Sequence, residues 1–202
     1  MATIKRWLQS HSGKILDAEN PTPEMIDIQD IAHALSMVCR YGGHCRDFYS
    51  VAEHSVHVMR LGQMHPTMMS ITAHWAKRSL ALLLHDAAEA YMGDIMTPNK
   101  ILLAPKSHEL ENKWLTAIEK KFGLEGQLIY PEPLVKDCDL TVLTVEVVSL
   151  FEKVDPIWWE HFHRLTRIQL ESTTIECWSP SVARRKFLDC FNLIEPLLPA
   201  SK

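Results

Sequence analysis

The sequence contains little glycine and none of the glycine-rich motifs of nucleotide-binding proteins. Only 7 of its 202 residues are Gly. It has no phosphate-binding loop, no dinucleotide-binding fingerprint and no Gly-x-Ser-x-Gly turn, each of which needs glycine where the backbone turns sharply or approaches a ligand. These absences exclude P-loop nucleoside triphosphatases, Rossmann-type dehydrogenases and α/β-hydrolases.

Cysteine is also scarce, and it lacks the spacing of a metal cluster. The chain has 5 cysteines and no C-x-x-C pair. An odd number of widely spaced cysteines is typical of reduced thiols rather than of a disulfide framework or a zinc cluster. These residues are Cys39, Cys45, Cys138, Cys177 and Cys190.

Long apolar runs and an excess of positive charge are missing as well. No apolar run reaches about 18 residues, and the first thirty residues contain no secretory-type apolar stretch, so we expect a cytoplasmic protein with no membrane partner. The 21 Lys and Arg against 25 Asp and Glu give a net charge of −4. We therefore expect no nucleic-acid polymer as a partner. With 47% hydrophobic residues, the chain can bury the core of one domain.

Most segments carry apolar residues at helical spacing, which predicts an all-α fold. Segments 3–8 and 14–17 around Ser12-Gly13 predict a short N-terminal β-hairpin, within a hairpin and linker over residues 1–23. We expect one domain over residues 1–202, with a helical core at 24–155 that is completed by 156–202. Six main helices are predicted, over residues 28–39, 51–60 (stopped by Gly62), 66–91, 107–122, 134–151 and 180–194, with a loop over 92–100.

One strongly apolar helical segment is interrupted by His85 and Asp86. Residues 82–90 read LLLHDAAEA. A carboxylate in an apolar interior shifts its pKa or binds a cation, and the adjacent imidazole can bind the same cation. Helical spacing places Glu89 on the same face, within reach of a water held by a metal. Alternatively, His85 and Asp86 cap or hydrogen-bond a neighbouring helix, and the dipeptide alone does not decide between the two.

Two further polar residues on apolar helices are candidate metal ligands. His54 lies within VAEHSV, and Asp139 lies near the start of a helix with apolar neighbours. With His85 and Asp86 they provide two imidazoles and two carboxylates from three helices, which leaves open positions on a six-coordinate ion. We expect one divalent ion, and these donors suit Mn²⁺, Fe²⁺, Co²⁺ or Mg²⁺ better than a closed structural Zn²⁺ site, although a Zn²⁺ ion also accepts them.

The order His54, His85-Asp86, Asp139 resembles the H…HD…D signature of the HD-domain metal-dependent phosphohydrolases. The resemblance covers most of the chain and is similar to the phage and prophage branch related to bacterial 5′-deoxynucleotidases. It is carried by segments 30–36 (DIAHALS), 39–44 (CRYGGH), 48–55 (FYSVAEHS) and 85–95 (HDAAEAYMGDI). Such proteins are helical, bind one divalent ion and hydrolyse phosphoesters of 2′-deoxynucleotides. One phage branch removes the triphosphate from dATP.

The resemblance implies roles for five residues at the reaction centre. It assigns Glu89 to catalysis, where the carboxylate positions or deprotonates the attacking water. A bound metal would lower the pKa of that water and polarise the phosphoryl oxygens. The implied metal ligands are His54, His85, Asp86 and Asp139.

The same resemblance implies contacts with the substrate and a second catalytic acid. Arg40 is expected to contact phosphate through its planar donor fork, and Tyr41 or Gly42 is expected to line the sugar pocket. Asp94 holds an active-site water or the substrate, and Lys100 meets phosphate.

Some polar and aromatic residues have two interpretations. His44 contacts phosphate or, in its Gly-Gly-His turn, satisfies backbone groups. Glu146 lies two turns beyond Asp139 and most simply pairs with a basic side chain. Trp158 and Trp159 pack in the core or at a subunit contact, and burial habits favour the core.

The predicted activity is hydrolysis of a 2′-deoxynucleotide by attack of water at the 5′ phosphorus. The second product is phosphate from a monophosphate or triphosphate from a dATP-like substrate. One alternative keeps the fold but acts on a guanosine alarmone or a cyclic nucleotide, and another is a non-catalytic nucleotide sensor. The family also implies a homo-oligomer. Candidate cations for the phosphates are Arg40, His44, Lys77, Arg78 and Lys100.

Overall fold

The computed structural model describes residues 6–68, 73–163 and 174–199, which are mostly helical as predicted. The predicted hairpin, the helix over 66–91 and the C-terminal segment extend into residues 3–5, 69–72, 164–173 and 200–202, outside the described residues. Six of the described helices have ten residues or more, in agreement with the six predicted. The helices are α1 (Ile28–Met37), α2 (Val51–Gln63), α3 (Ala73–Leu84), α4 (Glu89–Met92), α5 (Thr97–Leu102), α6 (Lys106–Phe122), α7 (Pro133–Leu150), α8 (Pro156–His163) and α9 (Pro180–Ile194).

The N-terminal hairpin is present and is attached to the first helix. Strands β1 (Trp7–Gln9) and β2 (Ile15–Asp17) pair antiparallel, with Leu8 opposite Leu16. In the turn between them, the backbone N–H and the hydroxyl of Ser12 both donate to the buried carboxylate of Asp30 in α1. A buried carboxylate needs such donors, so this pair fixes the hairpin on the helical body.

Helix α2 lies at the centre of the fold. Ser50 caps it, because its hydroxyl accepts the backbone N–H of Glu53, which satisfies one of the free donors at the helix start. Of its 13 residues, 11 are buried, and it packs against α1, α3, α7 and α9. A helix buried on all sides is suited to hold His54 away from bulk water.

Gly62 does not stop α2 as predicted, and the helix continues through Gln63. The missing side chain has a packing role instead. A Cβ atom at Gly62 would collide with the Leu82 side chain of α3, so glycine permits the close approach of the two helices. This approach brings α2 and the end of α3 together, and these elements carry His54 and His85.

The predicted continuous helix over 66–91 is wrong. A short 3-10 turn covers Pro66–Met68, α3 ends at Leu84, and α4 starts at Glu89. Between them the backbone makes tight i to i+3 hydrogen bonds, from Ala87 N–H to Leu84 and from Glu89 N–H to Asp86. Consecutive side chains on a regular helix point about 100° apart. The turn instead lets the side chains of His85 and Asp86 reach the same place.

Two segments around the site also differ from the prediction. Helix α1 ends at Met37 rather than at residue 39, because residues 38–40 pair with 49–51 through Val51 N–H to Val38 and Arg40 N–H to Tyr49. The predicted loop over 92–100 contains the start of α5 at Thr97. Pro98 in the first turn of α5 is compatible with this start, because a helix needs no N–H donor there.

An irregular segment, residues 174–179, precedes α9 and contacts the central helix α2. Its backbone N–H groups at Glu176, Cys177 and Trp178 donate to the buried carboxylate of Glu53 in α2, at 3.2, 3.1 and 2.6 Å. Three donors on one carboxylate fix this segment without a sheet. Nowhere in the described ranges is a helix both long and apolar enough for a membrane crossing.

Candidate metal centre and active site

A pocket of about 610 Å³ opens beside the turn between α3 and α4. Its wall combines four carboxylates and two cations with an apolar side. The turn 40–43, the segment 94–101, α7 and α8 all contribute to it. The lining residues are Arg40, Tyr41, Asp86, Glu89, Asp94, Ile95, Met96, Thr97, Pro98, Lys100, Ile101, Asp139, Leu143 and Trp158.

The four residues that the H…HD…D pattern singled out converge at this pocket. The Nε2 atom of His54 lies 3.2 Å from Nε2 of His85 and 3.1 Å from Oδ1 of Asp139. The Oδ2 atom of Asp86 lies 3.2 Å from His85 Nε2 and 3.6 Å from His54 Nε2. His54, His85 and Asp139 alone offer three ligand atoms within 4.8 Å of one another. As the alternative expects, His85 and Asp86 do contact a neighbouring helix, but the residue they meet there is His54 of α2, itself a candidate ligand.

The second nitrogen of each histidine is already occupied. His54 Nδ1 lies 2.6 Å from Oε1 of Glu146, and His85 Nδ1 lies 2.9 Å from the carbonyl oxygen of Leu82. Both partners are acceptors, so each Nδ1 carries the hydrogen and each Nε2 presents a lone pair. Two lone pairs facing each other at 3.2 Å need a proton or a cation between them. The donor set therefore fits a divalent ion.

The electrostatics agree with that fit. The pKa of His54 is raised to about 9: burial and Arg40 disfavour the charged ring, but Glu146 and Asp139 outweigh them. Burial likewise opposes the charge of Asp86, yet His85, His54 and Arg40 hold the pKa of Asp86 well below its usual range. A site that attracts a proton so strongly also attracts a metal ion.

Glu146 has a larger role at the site than the sequence predicts. It does pair with a basic side chain, because Arg40 Nε lies 3.2 Å from its Oε2 atom. However, it also accepts hydrogen bonds from the hydroxyls of Tyr41 and Tyr49, at 2.5 and 2.8 Å, and from His54 Nδ1. Burial opposes its charge, but Arg40 and His54 prevail and lower its pKa. One fully buried carboxylate thus orients a metal-site histidine and two pocket residues.

The turn that carries Arg40 and Tyr41 has an unusual backbone. Tyr41, Gly42 and Gly43 have φ of 58°, 58° and 79°, a left-handed region that glycine tolerates and tyrosine rarely adopts. Tyr41 is held there because its N–H donates to Oδ2 of Asp94 at 3.0 Å and its ring hydroxyl binds Glu146. Asp94 therefore shapes the pocket through the backbone of Tyr41, and Gly42 packs beside Met96 instead of lining the pocket.

Glu89 lies at the start of α4 and lines the pocket with Asp86 and Asp94. Its Oε2 atom is buried and has no hydrogen-bond partner among the described residues. Burial, followed by the charges of Asp86 and Asp94, raises the pKa of Glu89 well above its usual value. Burial and the two like charges thus favour the protonated form of this carboxyl group.

Of the five candidate cations for the phosphates, only Arg40 and Lys100 line this pocket. Lys100 Nζ lies 2.8 Å from Glu111. Burial opposes its charge, but this ion pair prevails and raises its pKa. Arg78 pairs with Glu132 outside the pocket, and Lys77 lines a separate cleft. His44 is exposed and does not line the pocket, so its phosphate contact stays a prediction.

One wall of the pocket is aromatic, and part of it was not predicted. The ring of Tyr41 meets Phe151 edge-on at 5.2 Å, and Phe151 meets Trp158 in the same way at 5.3 Å. Neither Trp158 nor Trp159 is buried, so the predicted core role is wrong, and Trp158 lines the pocket. The sequence could not reveal this role, since the burial habits of tryptophan favour the core.

Comparisons with known proteins match the geometry. A family model described as an HD domain matches residues 41–128. An uncharacterized protein of Rhodobacter capsulatus is 40% identical over 170 residues, which cover 76% of this chain and 83% of that protein. The uncharacterized protein YfdR of Escherichia coli is 36% identical over 140 residues, 69% of this chain and 70% of that protein. Residues 41–128, the range matched by the family model, contain His54, His85, Asp86 and Glu89.

Proposed function

This chain belongs to the HD-domain family, a family of metal-dependent phosphohydrolases, and on that premise we propose that it hydrolyses the 5′ phosphoester of a 2′-deoxynucleotide. The observation that carries the proposal is the convergence of His54, His85, Asp86 and Asp139 at a pocket that also contains Glu89. Two imidazoles and two carboxylates leave positions for water and a phosphoryl oxygen on one divalent ion. Water attacks phosphorus, the bond to the 5′ oxygen breaks, and a deoxynucleoside is released.

The proposed metal ligands are His54, His85, Asp86 and Asp139. When bound, a divalent ion supplies a Lewis acid that polarises the phosphoryl oxygens and lowers the pKa of water. Arg40 is the proposed phosphate ligand: within the described part of the chain its Nε and Nη1 atoms donate to Glu146 and Asp86, at 3.2 and 3.4 Å, and a guanidinium carries five N–H donors in all. The Nζ atom of Lys100 provides a second positive charge at the pocket wall.

Glu89 is the proposed general base. Its Oε2 atom has no protein partner among the described residues, so it is the atom available to take the proton of the attacking water. The carboxyl group then returns a proton to the departing 5′ oxygen. Its raised pKa makes the carboxylate a stronger acceptor for the proton of the water than an ordinary Glu.

Within the deoxynucleotides, the pocket wall favours a monophosphate. Arg40 and Lys100 face four carboxylates, and both cations are already in ion pairs. A triphosphate brings two further phosphate groups and needs more cationic donors than these residues provide. We therefore propose that phosphate, rather than triphosphate, is the second product.

Tyr41 is the proposed discriminator against ribose. Its ring is fixed by the bond from its hydroxyl to Glu146 and by the edge contact with Phe151. We propose that the sugar packs against this rigid ring and that the ring would exclude a 2′-hydroxyl group, because a fixed wall rejects an extra group better than a mobile one. Ribonucleotides should consequently be poor substrates.

The test uses metal-stripped protein to which Mn²⁺, Co²⁺, Mg²⁺ or Zn²⁺ is added back. Deoxynucleoside monophosphates, deoxynucleoside triphosphates and their ribonucleotide counterparts are incubated separately, and chromatography identifies each product. We expect deoxynucleosides and inorganic phosphate from the monophosphates, only with metal. The matched control is Glu89→Gln, which keeps all four metal ligands and should bind metal normally but lose turnover by a factor of about 10²–10⁴.

Other outcomes distinguish the alternatives. Release of triphosphate would make the chain a triphosphohydrolase, and turnover of ribonucleotides or cyclic nucleotides would favour the other HD-domain substrates. If nothing is hydrolysed while nucleotides bind equally to the natural chain and to Glu89→Gln, the chain is a nucleotide sensor.

A further inference from the structure

Two of the five cysteines touch each other across the substrate-binding turn. The Sγ atoms of Cys39 and Cys45 lie 3.8 Å apart, and Arg40, Tyr41 and the two glycines of the turn lie between these cysteines in the chain. The Cys45 thiol is also 3.7 Å from the carbonyl oxygen of Arg40. Both side chains are partly accessible.

We propose that Cys39 and Cys45 are a modification site, a thiol pair that forms a reversible disulfide and thereby reshapes the turn that carries Arg40 and Tyr41. The ring closed by this bond contains only residues 39–45. Neither cysteine belongs to the proposed metal or catalytic set. The inference therefore goes beyond the hydrolytic function.

The backbone on both sides of the pair is anchored, so the sulfurs meet repeatedly instead of drifting apart. Next to Cys39, the N–H of Arg40 donates to Tyr49 at 2.9 Å. Next to Cys45, the N–H of Arg46 donates to Leu150 at 2.8 Å. A disulfide bond is about 2.0 Å long, so the sulfur atoms must approach by about 1.8 Å. Side-chain rotation and a small movement of the turn can supply this approach.

The reaction needs an oxidant, and a small disulfide such as oxidised glutathione is the appropriate class. The Cys39 thiolate attacks one sulfur of the oxidant, forms a mixed disulfide and releases one glutathione thiolate. Cys45 then attacks Cys39 sulfur, the bond to glutathione breaks, and the proton of Cys45 goes to the second departing thiolate. Two protein thiols are oxidised and one small disulfide is reduced to two thiols.

The two thiols differ in which step they suit. Burial, followed by the adjacent Cys39 thiol, raises the pKa of Cys45 to about 11. Cys45 therefore stays protonated at neutral pH and is the poorer first nucleophile. It attacks only when its neighbour is already bound to the oxidant, where its contact with Cys39 gives it a high effective concentration.

The disulfide should disturb substrate binding because the backbone of the turn is held in one conformation. Three consecutive residues, Tyr41 to Gly43, have positive φ, and Tyr41 is fixed at both its N–H and its hydroxyl. Drawing Cys45 toward Cys39 moves the chain against these anchors and shifts the Arg40 carbonyl oxygen that Cys45 contacts. A displacement of this size at a substrate-positioning residue lowers kcat/KM by about tenfold or more.

The experiment treats the full-length, metal-loaded protein with oxidised glutathione and maps the disulfides by mass spectrometry. Trypsin cleaves after Arg40 and Arg46, so the bond links peptide 15–40 to peptide 41–46, and the intact chain loses about 2 Da. The oxidised protein should show lower kcat/KM with a monophosphate substrate, mainly through a higher KM, and dithiothreitol should restore it. Cys45→Ser should have normal activity and no response to the oxidant.

A second variant, Cys177→Ser, controls for the partner. It should keep both the 15–40 to 41–46 link and the loss of activity. Failure of the proposal would be a stable glutathione adduct on Cys39 without the link, a link to the Cys177 peptide, or a link that leaves kcat/KM unchanged. The peptide map needs no substrate, so it tests the disulfide even if the chain hydrolyses no deoxynucleotide.

Discussion

At the residue scale, Glu146 connects the candidate metal site to the turn that carries Arg40 and Tyr41. It is fully buried, and its carboxylate accepts hydrogen bonds from Arg40, Tyr41, Tyr49 and His54. Its one charge balances the guanidinium, and its hydrogen bond fixes which nitrogen of His54 is free. The same carboxylate therefore serves both the metal site and the substrate turn.

We predict that Glu146→Gln weakens metal binding by about 10–100-fold, the usual effect of losing a partner behind a ligating histidine. The amide cannot balance Arg40, and its NH₂ group faces donors. Titration of metal-stripped protein with Co²⁺, followed by its visible spectrum, measures the affinity. The exposed Glu152→Gln is the control, and equal affinities for the two variants would contradict the proposed role.

We also predict that Trp158→Ala raises KM by about tenfold with little change in kcat, because stacking of a base on an aromatic ring is lost. Trp158 lines the pocket, whereas its neighbour Trp159 does not. Steady-state kinetics of both alanine variants test this difference. If Trp159→Ala had the larger effect, the aromatic wall would not contact the substrate.

At the scale of elements, the sequence predicts helix positions well but misses where tertiary contacts override local pattern. The helices α6, α7 and α9 lie within one residue of the prediction, since their periodicity and the prolines or glycine at their ends are local signals. The break after Leu84 could not be predicted, because HDAAEA is a good helical sequence. The break allows the side chains of His85 and Asp86 to lie together beside His54 of α2, and that of His85 to lie near Asp139 of α7.

The same reasoning explains the partial success with the site. His54, His85, Asp86 and Asp139 are polar residues on apolar segments, which is a visible signal, and the structure brings them together. The role of Glu146 depends on a contact with Arg40, 106 residues away in the chain. The local sequence of its helix contains no pattern that indicates this contact. The position of Trp158 could not be predicted, because the spacing of apolar residues does not distinguish a side chain that lines a pocket from one in the core.

We predict that Gly62→Ala destabilises the protein by about 1–3 kcal/mol, the usual cost of overpacking a core. The new methyl group would collide with Leu82 of α3. Denaturant unfolding of the variant measures the change in the free energy of unfolding. The double variant Gly62→Ala/Leu82→Ala should show a favourable coupling, and strict additivity of the two changes would refute the contact.

Glu53→Ala should cost about 3–5 kcal/mol, because three backbone N–H groups of residues 176–178 lose their acceptor. The loss should be accompanied by faster hydrogen exchange in this segment. Glu152→Ala, on the surface, is the matched control. Unchanged exchange at residues 176–178 would mean that α9 alone holds the segment in place.

At the scale of the whole molecule, bound metal should stabilise the fold, since the four proposed ligands come from three separate parts of the chain. At a free metal concentration 100 times the dissociation constant, the gain is about 2.7 kcal/mol, or a rise of about 5–10 °C in Tm for a chain of this size. Calorimetry with metal and with a chelator measures the shift. Asp139→Asn should show a much smaller shift, and an equal one would exclude Asp139 as a ligand.

The wide separation of the site residues along the chain also bears on biosynthesis. Arg40, His54 and the His85-Asp86 pair leave the ribosome before Asp139 and Glu146, so until α7 emerges the nascent chain lacks the Glu146 carboxylate that binds Arg40 and His54. Residues 41–128, which the family model matches, do not include Asp139 or Glu146. A product of that length would also lack the backbone N–H groups of residues 176–178 that bind Glu53 of α2, so the site needs segments that are synthesised well after the family match ends.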